Sequence, residues 1–142
     1  MVRRLTRPLV VLAAVIVALL ATVTPAHAST TYGYGVGADG FTEGGIIWYN
    51  RTVEIQGYIR DAADCSYSNC ATTVYFLFYQ GTVHLDLDET RSDLAIWPPS
   101  YKDVDYHFSV TGPRGGITRV HIRVVTLNGI AYGDCTSSGC TP

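Results

Sequence analysis

The stretch Ala71-Thr-Thr-Val-Tyr-Phe-Leu-Phe-Tyr-Gln80 does most to limit what this chain can fold into. It is dense in aromatic and β-branched side chains and holds neither Gly nor Pro, which suits a strand at the centre of a sheet. Successive side chains of a strand point to opposite faces. Val74, Phe76 and Phe78 therefore share one face, and Tyr75, Leu77 and Tyr79 the other. With apolar residues on both sides, the strand is expected to pack on both faces.

Neighbouring segments repeat the two-residue period. In Arg51 to Arg60, Val53, Ile55, Gly57 and Ile59 alternate with Thr52, Glu54, Gln56, Tyr58 and Arg60. One face is then buried and the other solvated. Gly57 leaves a gap in the apolar row, room for a bulge or a large aromatic neighbour. Ile46 to Tyr49, Thr82 to Asp88, Val104 to Val110, Ile117 to Leu127 and Ile130 to Gly133 also read as strands. Gln80-Gly81 marks a tight turn, Asn128-Gly129 a type I′ hairpin, and Val124-Val125 a phase slip that predicts a bulge. The expected fold is all-β: an antiparallel sandwich of about seven strands, immunoglobulin-like or Greek-key in layout.

The first 28 residues are a different kind of sequence. Arg3, Arg4 and Arg7 precede an apolar run from Leu9 to Ala21, and Ala26-His27-Ala28 offers small residues for cleavage. That order predicts a secretory signal peptide over 1–28, because the run is shorter than the roughly 20 residues a membrane span needs. An uncleaved anchor is the competing reading. Residues 29–45, rich in Gly and Tyr, read as a loose lead-in, and 46–142 as one sandwich domain. Without the three leader arginines, seven basic residues face 12 acidic ones, a net charge of −5. Nucleic acid and anionic membrane surfaces depend on basic patches and are not expected partners.

Cys65, Cys70, Cys135 and Cys140 form two C-x4-C pairs around polar turn residues. An even count in an exported chain reads as disulfides, and the short polar gaps favour local bridges, 65–70 and 135–140. Zinc ligation usually has tighter spacing. No metal or cofactor is expected.

Polar clusters are few. His84, Asp86, Asp88 and Glu89 are dense enough for a metal row, although a solvated strand face produces the same pattern. His84, His107 and His121 occupy outward strand positions that could converge. Asp103 and Asp105 share a strand face, not the facing arrangement that glycoside hydrolysis requires. No Gly-x-Ser-x-Gly motif appears. Trp97, Tyr101 and Tyr67 lie in predicted loops, and Pro98-Pro99 would hold Trp97 stiffly. These rings are the expected ligand-binding residues, in the long connection Glu89 to Lys102 and the first Cys loop; a lid over the core is the alternative.

Arg51-Thr-Val-Glu-Ile-Gln-Gly-Tyr-Ile-Arg-Asp61, followed by a Cys loop and an aromatic strand, resembles small secreted β-sandwich proteins of high-GC Gram-positive bacteria. The resemblance implies an extracellular location and a β-fold, and no activity. Size and Cys count are also similar to the secreted subtilisin inhibitors of such bacteria, but their Cys spacing is absent. The expected function is a monomeric, non-enzymatic extracellular binding module for a cell-wall glycan or a protein. A secreted inhibitor or toxin-like effector is the alternative, and a small hydrolase comes third.

Overall fold

The computed structural model describes residues 27–37, 39–61, 71–93 and 103–142. They form an antiparallel β-sandwich of two sheets. Strands β1 (Ala28–Val36), β2 (Gly40–Trp48), β3 (Thr52–Asp61) and β7 (Val104–Thr111) make the first, in that order. In the second, β10 (Gly139–Thr141), β9 (Gly129–Thr136) and β8 (Arg119–Thr126) lead to β4 (Thr72–Gln80). The free edge of β4 is shared by β5 (Val83–His84) and β6 (Glu89–Asp93). The chain crosses between sheets so that β3 pairs with β7 and β4 with β8. Those two non-sequential pairs are the key of the immunoglobulin-like layout.

The core follows from alternation. Val74, Phe76 and Phe78 are fully buried against Ile46, Val53, Ile55 and Ile59 of the opposite sheet, with Val120, Ile122 and Val124 beside them. Phe76 sits at the aromatic centre. Its ring meets Tyr106 at 5.4 Å and Phe108 at 5.2 Å, both in edge-on geometry. The predicted centrality of this segment therefore holds, but its outward face, Tyr75, Leu77 and Tyr79, is only half-buried.

Ten strands are present among the described residues where about seven were expected. The lead-in segment is not loose: it builds β1 and much of β2, and Thr30, Tyr32 and Thr42 are buried in the core. Aliphatic alternation is absent there because Tyr and Thr fill the inward positions. Thr82 to Asp88 is not one strand. It stops after His84, and Asp86 takes a left-handed conformation (φ 51°), which Asp tolerates better than most residues. Part of the expected long connection, Glu89–Asp93, is instead edge strand β6, too polar to show a hydrophobic period. Val124 and Val125 pair in unbroken register with both neighbours, so there is no bulge. The β8–β9 turn is centred on Leu127–Asn128, and neither residue has positive φ, so it is not type I′. Thr126 Oγ1 accepts from the Asn128 amide instead.

Cys135 and Cys140 are directly paired across β9 and β10 and form a disulfide, as the local spacing predicted. Cys65 and Cys70 lie outside the described residues. Among the described residues no helix is long and apolar enough to cross a membrane.

Candidate functional site

Three tyrosines share one device. Across the first sheet, Tyr32, Gly44, Gly57 and Tyr106 stand in a single register row. The two glycines have no side chains, so the tyrosines from either side reach inward beneath them. A Cβ on Gly57 would lie 2.7 Å from the Tyr106 hydroxyl and 2.9 Å from its ring carbon. One on Gly44 would lie 2.7 Å from the Tyr32 hydroxyl. The gap at Gly57 is thus filled by the large aromatic neighbour that the sequence allowed for. Tyr34 does the same on the second sheet, lying over Gly133 where a side chain would overlap its ring. Its hydroxyl donates to the Thr141 carbonyl at 3.1 Å, tying β1 to β10.

Beneath the glycine row runs a chain of hydroxyls. Thr42 Oγ1 donates to the Tyr58 carbonyl at 2.8 Å and lies 2.6 Å from the Tyr106 hydroxyl, which lies 2.5 Å from that of Tyr32. With the Thr42 proton committed to the carbonyl, Tyr106 donates to Thr42 and Tyr32 to Tyr106. Each hydroxyl of this chain then has a partner, as buried polar groups require. Burial pushes the Tyr32 hydroxyl far above the ordinary tyrosine range, and the neighbouring Tyr106 adds to the shift. Tyr106 is also raised by burial, against the hydrogen bonds it shares with Thr42 and Tyr32. Raised folded-state values favour the neutral form. Their stabilisation is complete below the unfolded tyrosine value near pH 10 and is lost as pH rises through it toward the folded value. Denaturant titrations should show stability falling above about pH 10 by up to about 1.4 kcal/mol per pH unit for each buried tyrosine. The loss should shrink in Tyr32→Phe. A flat profile from about pH 8 to 11 would contradict a closed hydroxyl chain.

On the other side of this row, facing solvent, the sheet carries an open depression of about 870 Å³. Its walls are the two flanking register rows. One row runs Thr31, Gly45, Gln56 and His107; the other runs Glu43, Tyr58 and Asp105. Gly45 leaves space on the outer face while its neighbours supply hydroxyl, amide, carboxylate and imidazole groups. Several are already oriented. Tyr58 donates to the Glu43 carboxylate, which holds the phenol above its usual range. His107 Nε2 lies 2.6 Å from Glu54, whose carboxyl is held below the usual range by that bond and by a second from Tyr49. Asp103 is drawn away by a two-pronged pair with Arg60, both bonds 2.7 Å, and its carboxyl is lowered by it. Asp105 stays at the depression.

The residues singled out from sequence fare differently. Trp97, Tyr101 and Tyr67 lie outside the described residues. His84, Asp86 and Asp88 do not form a strand row. The turn at Asp86 wraps both carboxylates round one ring, with Asp88 2.7 Å from Nε2 and Asp86 3.3 Å from Nδ1. Among the described residues no group of three or more His, Cys, Asp or Glu is arranged to hold a metal ion. The three histidines do not converge: His84 pairs with Asp88, His107 with Glu54, and His121 with Asp134. The depression itself was not read from sequence. Its signal was present as glycines inside strands at Gly44, Gly45 and Gly57, beside tyrosines in the inward phase. No protein-family model, curated protein or solved structure matches the chain.

Proposed function

We propose that this chain is a secreted, non-enzymatic module that binds a stretch of polysaccharide in the depression of the four-stranded sheet. The observation that carries this reading is the depression's lining: hydrogen-bonding groups on four adjacent strands surround a floor cleared by glycine. Sugars present dense hydroxyls and need many donors and acceptors in a shallow site. Tyr58 adds an aromatic ring beside them, suited to the apolar face of a pyranose. The carboxylates Glu43 and Asp105 accept from sugar hydroxyls, and His107 and Gln56 offer donors. A peptide added as an extra strand would need an open sheet edge, and this site lies on a face. The leader-like pattern over 1–28 and the Cys135–Cys140 bridge support work outside the cell, where disulfides persist.

The test is retention on insoluble chitin, cellulose and peptidoglycan, followed by calorimetry with soluble fragments of whichever polymer retains the protein. Tyr58→Ala and Gln56→Ala should each weaken binding by about tenfold or more, a loss of about 1.4 kcal/mol, with unchanged circular dichroism. Wild-type binding by both variants, or no retention on any polymer, would overturn the reading. Cleavage of the polymer during the assay would point instead to a hydrolase using Glu43 and Asp105, which flank Tyr58 in one row.

A further inference from the structure

The depression on the first sheet is charged in one sense. Two carboxylates line it, Glu43 and Asp105, and among the described residues no lysine or arginine does. Both are exposed. Glu43 accepts from the neutral phenol of Tyr58, which leaves its charge unbalanced. The Asp105 side chain has no hydrogen bond or ion pair among the described residues. Arg60, the cation beside this row, is held by Asp103 through two bonds of 2.7 Å, so its charge is already matched. His107, on the other wall, is occupied by Glu54 at 2.6 Å. The rest of the chain adds to the same sign: beyond residue 28, seven basic residues face 12 acidic ones. A concave surface lined by one charge concentrates ligands of the opposite charge.

A polymer laid in the depression takes water away from both carboxylates. Charge covered by an uncharged partner is costly. A neutral sugar offsets that cost with hydroxyl hydrogen bonds alone, and a polyanion adds repulsion. Ammonium groups supply charge-assisted bonds, which are about twice as strong as neutral ones. Glu43 and Asp105 stand on strands either side of Tyr58, so their backbones are about 10 Å apart with the ring between them. A ligand with amines repeated along its length meets both carboxylates, and a pyranose between those amines lies against Tyr58.

We propose that the polysaccharide bound in the depression carries free amines, as deacetylated chitin does, and that Glu43 and Asp105 pair with its ammonium groups. This rests on the glycan reading above and names the class of glycan. The hydroxyl, amide and imidazole groups of the lining serve neutral sugars as well, so an acetylated polymer binds the same site more weakly. Complementary charge then selects among polymers that share one backbone.

Calorimetry with short glucosamine oligomers and their fully N-acetylated counterparts tests this. The protein should bind the free-amine form about tenfold more tightly at low salt. Raising salt from about 0.05 to 0.5 M should erase most of that difference, because the pairs are exposed. Asp105→Asn and Glu43→Gln keep the side-chain shape at exposed positions. Each should weaken binding of the free-amine form by about fivefold or more and leave the acetylated form unchanged. Asp86→Asn, at a side chain 94% exposed and outside the depression, controls for general attraction between an acidic protein and a polycation, and should change neither. Circular dichroism checks each variant, and the comparison of the two sugar forms on the unaltered protein stands without them. Equal affinity for both forms, a preference that salt does not touch, or an equal loss in Asp86→Asn would each overturn the proposal, while binding of the acetylated form would keep the glycan reading. A lysine oligomer bound as tightly as the free-amine sugar would overturn it in favour of a basic peptide. Absence of binding to either sugar form would overturn both readings together.

Discussion

Gly57→Ala should lower the stability of the domain by about 3–5 kcal/mol, although it adds a single methyl group. The new Cβ overlaps the Glu43 carbonyl of the paired strand and presses on the Tyr106 ring. Backbone does not yield cheaply, so the ring moves. Tyr106 is buried and holds the middle of the hydroxyl chain, so its displacement breaks the bonds to Thr42 and Tyr32 together. Overpacking costs about 1–3 kcal/mol and an unsatisfied buried hydroxyl about 1–3 more. Thermal melting should register this as a drop of roughly 10–25 °C for a domain of this size. Pairing Gly57→Ala with Tyr106→Leu should cost less than the two changes summed, since the second removes what the first strikes. A cost of Gly57→Ala below about 0.5 kcal/mol, or strict additivity, would show that the ring does not depend on the gap.

Phe76→Ala should cost about 3–5 kcal/mol by leaving a cavity at the centre of the core. The ring has no solvent exposure and is edge-on to Tyr106 and Phe108, with Tyr32 at 6.4 Å. Walls drawn from both sheets cannot collapse onto the space without moving whole strands. Leu77→Ala, the next residue on the same strand, should cost clearly less, because its side chain faces the other way and is half-buried. Chemical denaturation measures both. Equal losses at the two positions would mean that alternation on β4 does not decide which face is core.

The contrast between these two sites shows where sequence reading works. Phe76 was legible because a strand with period two and aliphatic or aromatic residues on one phase has one sensible way to bury them. The same rule located β3, β4, β7 and β8 and the gap at Gly57, and the short polar C-x4-C spacing located the disulfide at Cys135–Cys140. It failed for Ala28–Val36, whose inward positions are Thr30, Tyr32 and Tyr34, residues that look solvent-tolerant until a glycine on the facing strand makes room for them. It also failed for Glu89–Asp93, an edge strand fixed by backbone pairing to β4 rather than by buried side chains. The expected loop rings, Trp97, Tyr101 and Tyr67, lie outside the described residues and stand as they were.

Fold class, the inward phase of the main strands and the local cystine on β9 and β10 were therefore determined by the sequence alone, because each depends on neighbours a few residues apart. The depression and the hydroxyl chain were decided only by tertiary structure. Both exist because residues 32, 44, 57 and 106 fall into one row across four strands, and that register is set by pairing between distant segments.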